Sequence, residues 1–317
     1  MKAAEFQQTG LAGDREVFPG VPLSVVLQRH SAWLEERPEG LRAVLEGFSF
    51  SDCVLRGVQL QRAVLSGSRW LDADLAAADL SAADLESADF RHASLPEVDF
   101  SEAQIVGARF EEAWMRGARM VEARIQATLF TRVSAAETAW MGAELLNCDF
   151  TGAKLSGAAF HQTRFFECSL SQADLENAVF YHARLQLCRL CGAVLTNANL
   201  SMARLLTCDL SAADLNYARL SRADISRSQF DRCSMEDCDF REARLHGASF
   251  VRATLCGSRF AGADLRLADL RGANLRGARE LTAEQLSSAR TDDRTILPNG
   301  KPGPYLRYSG AEKPVAR

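Results

Sequence analysis

An all-β solenoid, wound from short extended sides joined by turns, is the fold class this sequence predicts, and three periodicities predict it. From Leu45 to Leu275 every fifth residue is large and apolar: of 47 positions, 46 carry Leu, Ile, Met, Phe or Trp, and only Ala135 is small. From Ala43 to Ala278 a second series runs two positions earlier, and 44 of its 48 members are Ala, Cys, Ser or Thr, the exceptions being Phe48, Val58, Val98 and Val133. Among the large residues, aromatics fill 14 of the 23 positions whose numbers are multiples of ten, but only Phe165 of the other 24. A period of five matches neither a helix at 3.6 residues per turn nor a strand at two. One small and one large buried residue per five suits an extended side followed by a turn, and the phase never slips. The ten-residue alternation puts bulky rings on two opposite sides and mainly Leu on the other two, which fills a narrow square interior without collision.

Within that period, Ala83-Asp84-Leu85-Glu86-Ser87, Ala213-Asp214-Leu215 and Ala273-Asn274-Leu275-Arg276-Gly277 resemble the pentapeptide-repeat family, whose unit is A-(D/N)-L-x-x. The resemblance spans roughly three quarters of the chain. It implies a right-handed quadrilateral β-helix of twenty residues per coil, about twelve coils in all, with the small and large positions inward and the other three outward. At ~4.8 Å per coil such a rod is ~55 Å long.

A solenoid needs covered ends, and both flanks offer caps. Residues 1–40 form an N-terminal segment in which Pro22 to Arg37 reads as an amphipathic helix stopped by Pro38 and Gly40, with Leu23, Val26, Leu27, Trp33 and Leu34 placed to lie over the first coil. Residues 41–279 are the repeat. In 280–317, Thr282 and Gln285 make a capping box that opens a short helix to Ala289. The tail from Thr291 holds Pro298, Gly300, Pro302, Gly303 and Pro304 and is expected to be extended.

Composition excludes several functions. The 317 residues carry 37 Lys+Arg against 41 Asp+Glu, a net charge of −4, which rules out a polybasic nucleic-acid binder. The opening MKAAEFQQTG has no apolar core, so no signal peptide is expected, and no apolar run approaches the ~20 residues of a membrane helix. Nine cysteines are too few for a disulfide scaffold. A cytoplasmic, reduced protein is the expectation.

Candidate chemistry dissolves on inspection. Cys188 and Cys191 have CxxC spacing, but Cys188 is inward and Cys191 outward, so their sulfurs face opposite ways. Cys53, Cys148, Cys168, Cys188, Cys208, Cys233 and Cys238 all occupy small inward positions, where a thiol packs as a slightly larger Ala. His30, His92, His161, His182 and His246 show no metal-ligand spacing, and His30 falls in the end-cap helix. Asp74, Asp79, Asp84 and Asp89 fill the Asp/Asn position of the repeat, and glycines such as Gly107 and Gly272 fill one turn position. No catalytic, cofactor-binding or metal-binding residue is assigned, and no cofactor is expected.

Function is therefore sought on the outside, where residues twenty apart are neighbours. The side built on Leu145, Phe165, Leu185 and Leu205 stands out. Before those residues come Glu144, Arg164, Arg184 and Arg204; after them Leu146, Phe166, Gln186 and Leu206; at the adjoining corner Met141, His161, Tyr181 and Ser201. Stacked arginines repel, so the column gains little as scaffolding, and exposed apolar residues beside Arg have the composition of a protein-binding hot spot.

Three functions follow. Some members of the family resemble duplex DNA in shape and charge and protect DNA gyrase. Against that role here, the charge is nearly balanced and the acids of 72–102 circle the rod instead of forming continuous columns. His30-Ser31-Ala32-Trp33-Leu34 and Gly40 to Leu45 resemble the lead-in to pentapeptide modules associated with bacterial type VI secretion. That resemblance implies an immunity protein, or an adaptor, bound to a secreted toxin, with no direct contact to nucleic acid or membrane. A general scaffold is the third.

Overall fold

The computed structural model describes residues 16–18 and 21–314; the opening residues read for a targeting segment lie outside them, as do the last three of the tail. A short antiparallel pair, β1 (Glu16–Phe18) and β2 (Val21–Pro22), leads into helix α1 (Leu23–Leu34). The chain then winds as a parallel β-solenoid. Backbone bridges join Val44 to Val64, Ser49 to Arg69, Val54 to Asp74 and Gln59 to Asp79, so each coil takes twenty residues and has four sides. One ladder runs without a break from Val44 through twelve coils to Asp264, while formal three-residue strands occur on only six of them, spanning five turns. These are β3 (Gln104–Val106), β4 (Arg124–Gln126), β5 (Glu144–Leu146), β6 (Arg164–Phe166), β7 (Arg184–Gln186) and β8 (Arg204–Leu206).

Both five-residue series point inward as the sequence predicts. Residues such as Ala143, Phe150, Leu155, Leu185 and Ala203 are essentially inaccessible to solvent. The aromatic rings stack along the axis in two columns: Phe110 on Phe130 at 4.9 Å and Phe130 on Phe150 at 4.6 Å in one, Phe160 on Phe180 at 4.8 Å in the other. The columns meet edge to face, with Trp140 5.5 Å from Phe130 at 83°. Phe110 and Phe130 thus have stacking partners above and below and an edge partner opposite.

At most corners the chain reverses in a tight turn closed by an N–H to C=O bond, as from Cys53 to Phe50 (3.1 Å) and from Ala63 to Leu60 (3.0 Å). The second turn residue has positive φ, whether it is Gly47 (70°) or Asp52 (61°). The repeat's Asp steadies this turn: Asp79 Oδ1 accepts the N–H of Ser81 at 2.9 Å and Asp209 Oδ1 that of Ser211 at 2.9 Å. This is the structural use of aspartate that the sequence suggests.

Both ends are closed. From α1, Leu23 enters the core, and Val26 and Leu27 pack against it. His30 is fully buried: its Nδ1 accepts the N–H of Ala43 and its Nε2 donates to the carbonyl of Gln61, both at 3.0 Å. It holds the cap to the first two coils. At the far end α2 (Ala283–Ser288) starts with the expected capping box, Gln285 N–H to Thr282 Oγ1 at 3.2 Å and Thr282 N–H to Gln285 Oε1 at 2.8 Å. The tail does more than run extended. Thr295 is buried and donates to the carbonyl of Leu270 at 3.0 Å, and Ile296 bridges Asn274, so the segment covers the last coil's edge.

Candidate functional site: the β3–β8 face

The face chosen from sequence is the one place where the solenoid's side opens into regular strands. After Ile105, Ile125, Leu145, Phe165, Leu185 and Leu205 no turn-closing N–H to C=O bond forms among the described residues. Several of their carbonyls also receive a side-chain donor from within. Thr128 donates to Ile105 O (3.2 Å), Cys148 to Ile125 O (3.6 Å), Cys168 to Leu145 O (3.5 Å), Cys208 to Leu185 O (3.5 Å) and Ser228 to Leu205 O (2.8 Å), each reaching back twenty-three residues. The inward column Thr128, Cys148, Cys168, Cys188, Cys208, Ser228 is therefore a row of side-chain donors as well as packing.

The same geometry accounts for the CxxC pair. Cys188 is buried and donates to Gln186 O at 3.3 Å, whereas Cys191 lies half-exposed near Asp209 O at 3.8 Å. All nine cysteines are free thiols. Hydrogen bonding to the neighbouring Cys168 thiol, together with burial, raises Cys148 and Cys188 well above the ordinary thiol range, and burial pushes Cys233 up to about 12. Inaccessible thiols are poor nucleophiles and metal ligands. Among the described residues no three His, Cys, Asp or Glu side chains are gathered to hold a metal.

On the outer surface, Glu144, Arg164, Arg184 and Arg204 open β5 to β8 and are exposed; Leu146, Phe166 and Leu206 close β5, β6 and β8 and are half-buried. At the corner Met141 and Tyr181 remain 50% and 39% exposed. His161, half-buried, sets its ring edge-on to Tyr181 at 6.4 Å. The structure thus brings every sequence-predicted residue onto one face. It also changes the electrostatics: the stack is not three competing arginines, because Arg164 pairs with Glu144 at 2.5 Å. Arg184 and Arg204 form no ion pair among the described residues.

Between the corner and the arginines runs an open groove of about 430 Å³, lined by Glu144, Gln162, Arg164, His182, Arg184, Met202 and Arg204. It continues past Arg222, Asp224 and Arg244. Gln162, His182 and Met202 are second corner residues, which the column of first corner residues, Met141, His161 and Tyr181, does not show. The second corner residue, stepped by twenty in the same way, names all three.

Two family descriptions match the chain. "Pentapeptide repeat region" covers residues 158–240, and "Pentapeptide repeats (8 copies)" covers 53–91, 83–120 and 248–279. The chain belongs to the pentapeptide-repeat family. Among solved structures, this pentapeptide-repeat protein is 25% identical to HetL, a pentapeptide repeat protein involved in heterocyst differentiation regulation from the cyanobacterium Nostoc sp. strain PCC 7120, over 87% of this chain and 97% of that one, with a TM-score of 0.25. It is 19% identical to full-length QnrB1, a plasmid-mediated fluoroquinolone resistance protein, over 63% and 93% of the two chains, with a TM-score of 0.24. A pentapeptide repeat protein from the Arabidopsis thaliana thylakoid lumen is 24% identical over 45% and 77%, with a TM-score of 0.17. No curated protein sequence matches the chain. No helix of the described residues is long and apolar enough to cross a membrane.

Proposed function

We propose that this pentapeptide-repeat protein is a non-enzymatic binding rod whose β3–β8 face docks a protein, and that the partner is a secreted bacterial toxin, of type VI secretion, which it neutralises or escorts in the cytoplasm. The observation that carries the docking face is the coincidence, along β5–β8 and the adjoining corner, of Arg184 and Arg204, which form no ion pair among the described residues, with half-buried Leu146, Phe166 and Leu206 and exposed Met141 and Tyr181. Cationic forks beside apolar rings on a rigid sheet make a preorganised contact surface. The toxin is suggested by the sequence resemblance between His30 and Leu45, and an immunity protein needs tight binding without chemistry. Capture of the partner from native cells tests this. Phe166→Asp and Arg184→Glu, both on the surface, are each expected to abolish capture while the thermal melt stays unchanged; full capture by both variants would discard the face.

Mimicry of duplex DNA is the competing role, and it asks for free acidic columns. In the acidic stretch three of the nine carboxylates are already paired, Asp74 with Arg56, Asp89 with Arg91, Asp99 with Arg119.

A further inference from the structure

We infer that the groove beside β6–β8 seats an acidic segment of a protein partner by gripping two of its carboxylates between Arg184 and Arg204. This rests on the reading of the β3–β8 face as a docking surface and adds the chemistry of what docks there.

The pattern of pairing along the groove carries it. On one side of the two arginines Glu144 neutralises Arg164 at 2.5 Å; on the other Asp224 approaches Arg244 at 3.9 Å, and Arg222 and Glu242 pair at 2.9 Å. Between these balanced pairs stand Arg184 and Arg204, exposed and without an ion pair among the described residues, on strands paired residue for residue. The result is a window of two unbalanced positive charges on adjacent coils, ~4.8 Å apart. Like charges directly opposite on neighbouring strands disfavour each other, and an anion between them reverses that sign. Guanidinium forks match carboxylates in plane and spacing. His182, held edge-on by the Tyr181 ring at 4.4 Å, and Met202 complete the floor.

The width of the window selects a protein over a nucleic acid. A phosphodiester chain places a charge at every nucleotide and gains affinity from a long run of cations. Here the run ends after two coils, and the carboxylates of Glu144 and Asp224 meet whatever continues beyond. Moreover, Leu146, Phe166 and Leu206 lie two residues along each strand, ~6.6 Å from the arginine column. A segment that alternates acidic and apolar side chains covers both columns at once, whereas a sugar-phosphate backbone leaves the apolar one bare.

The probe is a fluorescein-labelled peptide of alternating Glu and Leu, titrated against the full chain by fluorescence anisotropy beside its Gln-for-Glu counterpart. The Glu peptide is expected to bind, the Gln peptide at least ~10-fold more weakly, with an affinity for the Glu peptide that falls as salt rises. Arg184→Glu with Arg204→Glu weakens the Glu peptide on the order of 100-fold. Glu144→Gln with Asp224→Asn frees Arg164 and Arg244, widens the window and tightens binding about threefold. Arg184, Arg204 and Glu144 are exposed, and Asn at 224 keeps the Oδ1 that accepts the Ser226 N–H, so an unchanged thermal melt certifies each variant. Absence of binding at millimolar peptide, or equal binding by the double arginine variant, overturns the inference. So does tighter binding of a single-stranded oligonucleotide of matched length, which would assign the groove to nucleic acid. Partner capture by Phe166→Asp is a separate readout and judges the docking face even where the groove fails.

Discussion

His30→Ala removes the pin between the N-terminal cap and the repeat, and its cost can be worked from two contacts. The imidazole accepts the Ala43 N–H and donates to Gln61 O, both at 3.0 Å, and none of the residue is exposed. Truncation leaves a buried donor and a buried acceptor unmet, at about 1–3 kcal/mol each, so roughly 3 kcal/mol is lost. In a solenoid this loss is local, since each coil contacts only its neighbours. Hydrogen exchange read by mass spectrometry is therefore the assay: peptides covering 41–65 should exchange on the order of 100-fold faster, while those covering 141–210 keep their protection. Acid should act through the same group. Burial, and secondarily the Arg42 charge, holds the His30 pKa below its ordinary value against the opposing bond to Gln61. The unfolded chain takes up the proton first, so the contribution is complete above pH ~6.5 and is lost as pH falls below it toward the folded value. Protonation of Nδ1 also turns the acceptor for Ala43 into a donor. Protection of 41–65 that is indifferent to His30→Ala, or an acid sensitivity of that segment that persists in the variant, would refute the pinning role.

Phe150→Asp or Leu185→Asp puts a lone charge into a sealed interior and is expected to unfold part of the rod, lowering the melting temperature by well over 10 °C; an unaltered melt would contradict the inward register. Thiol labelling under native conditions should modify Cys191 and Cys256 slowly and spare Cys148, Cys168, Cys188 and Cys208, in line with their burial; rapid labelling of Cys188 would refute the packed column. In a gyrase supercoiling assay with a quinolone the protein is expected to give no protection, and rescue of supercoiling would favour duplex mimicry over toxin binding.

The architecture was legible because its signal is repetitive: an inward Leu or Phe every five residues leaves a trace that no local context obscures. Side-chain stacking was legible too, as the ten-residue alternation of rings shows. The donor role of Cys148, Cys168 and Cys208 was not, since a thiol and an alanine fill a small position alike, and only the structure shows the carbonyl of the preceding coil that each of these thiols reaches. Nor was the pairing on the outer face. Glu144 and Arg164 stand twenty residues apart, and whether the carboxylate reaches the guanidinium depends on side-chain conformations that spacing does not encode. The seating of the tail after Thr291 was hidden for a related reason: Pro298, Gly300 and Pro302 announce irregular backbone, and irregular backbone can still lie down on a coil edge, as the bridge from Ile296 to Asn274 does.

The donor row on the β3–β8 face has a consequence for shortening this molecule. Because Thr128, Cys148, Cys168, Cys208 and Ser228 each serve a carbonyl twenty-three residues upstream, the stitch crosses from one coil to the one before it. Excising residues 149–168 as a block would bring Cys188 over Leu145 in place of Cys168 and keep the inward register, whereas removing nineteen or twenty-one residues would turn the thiols outward. The protein is thus a ruler that can be cut only at its own graduations.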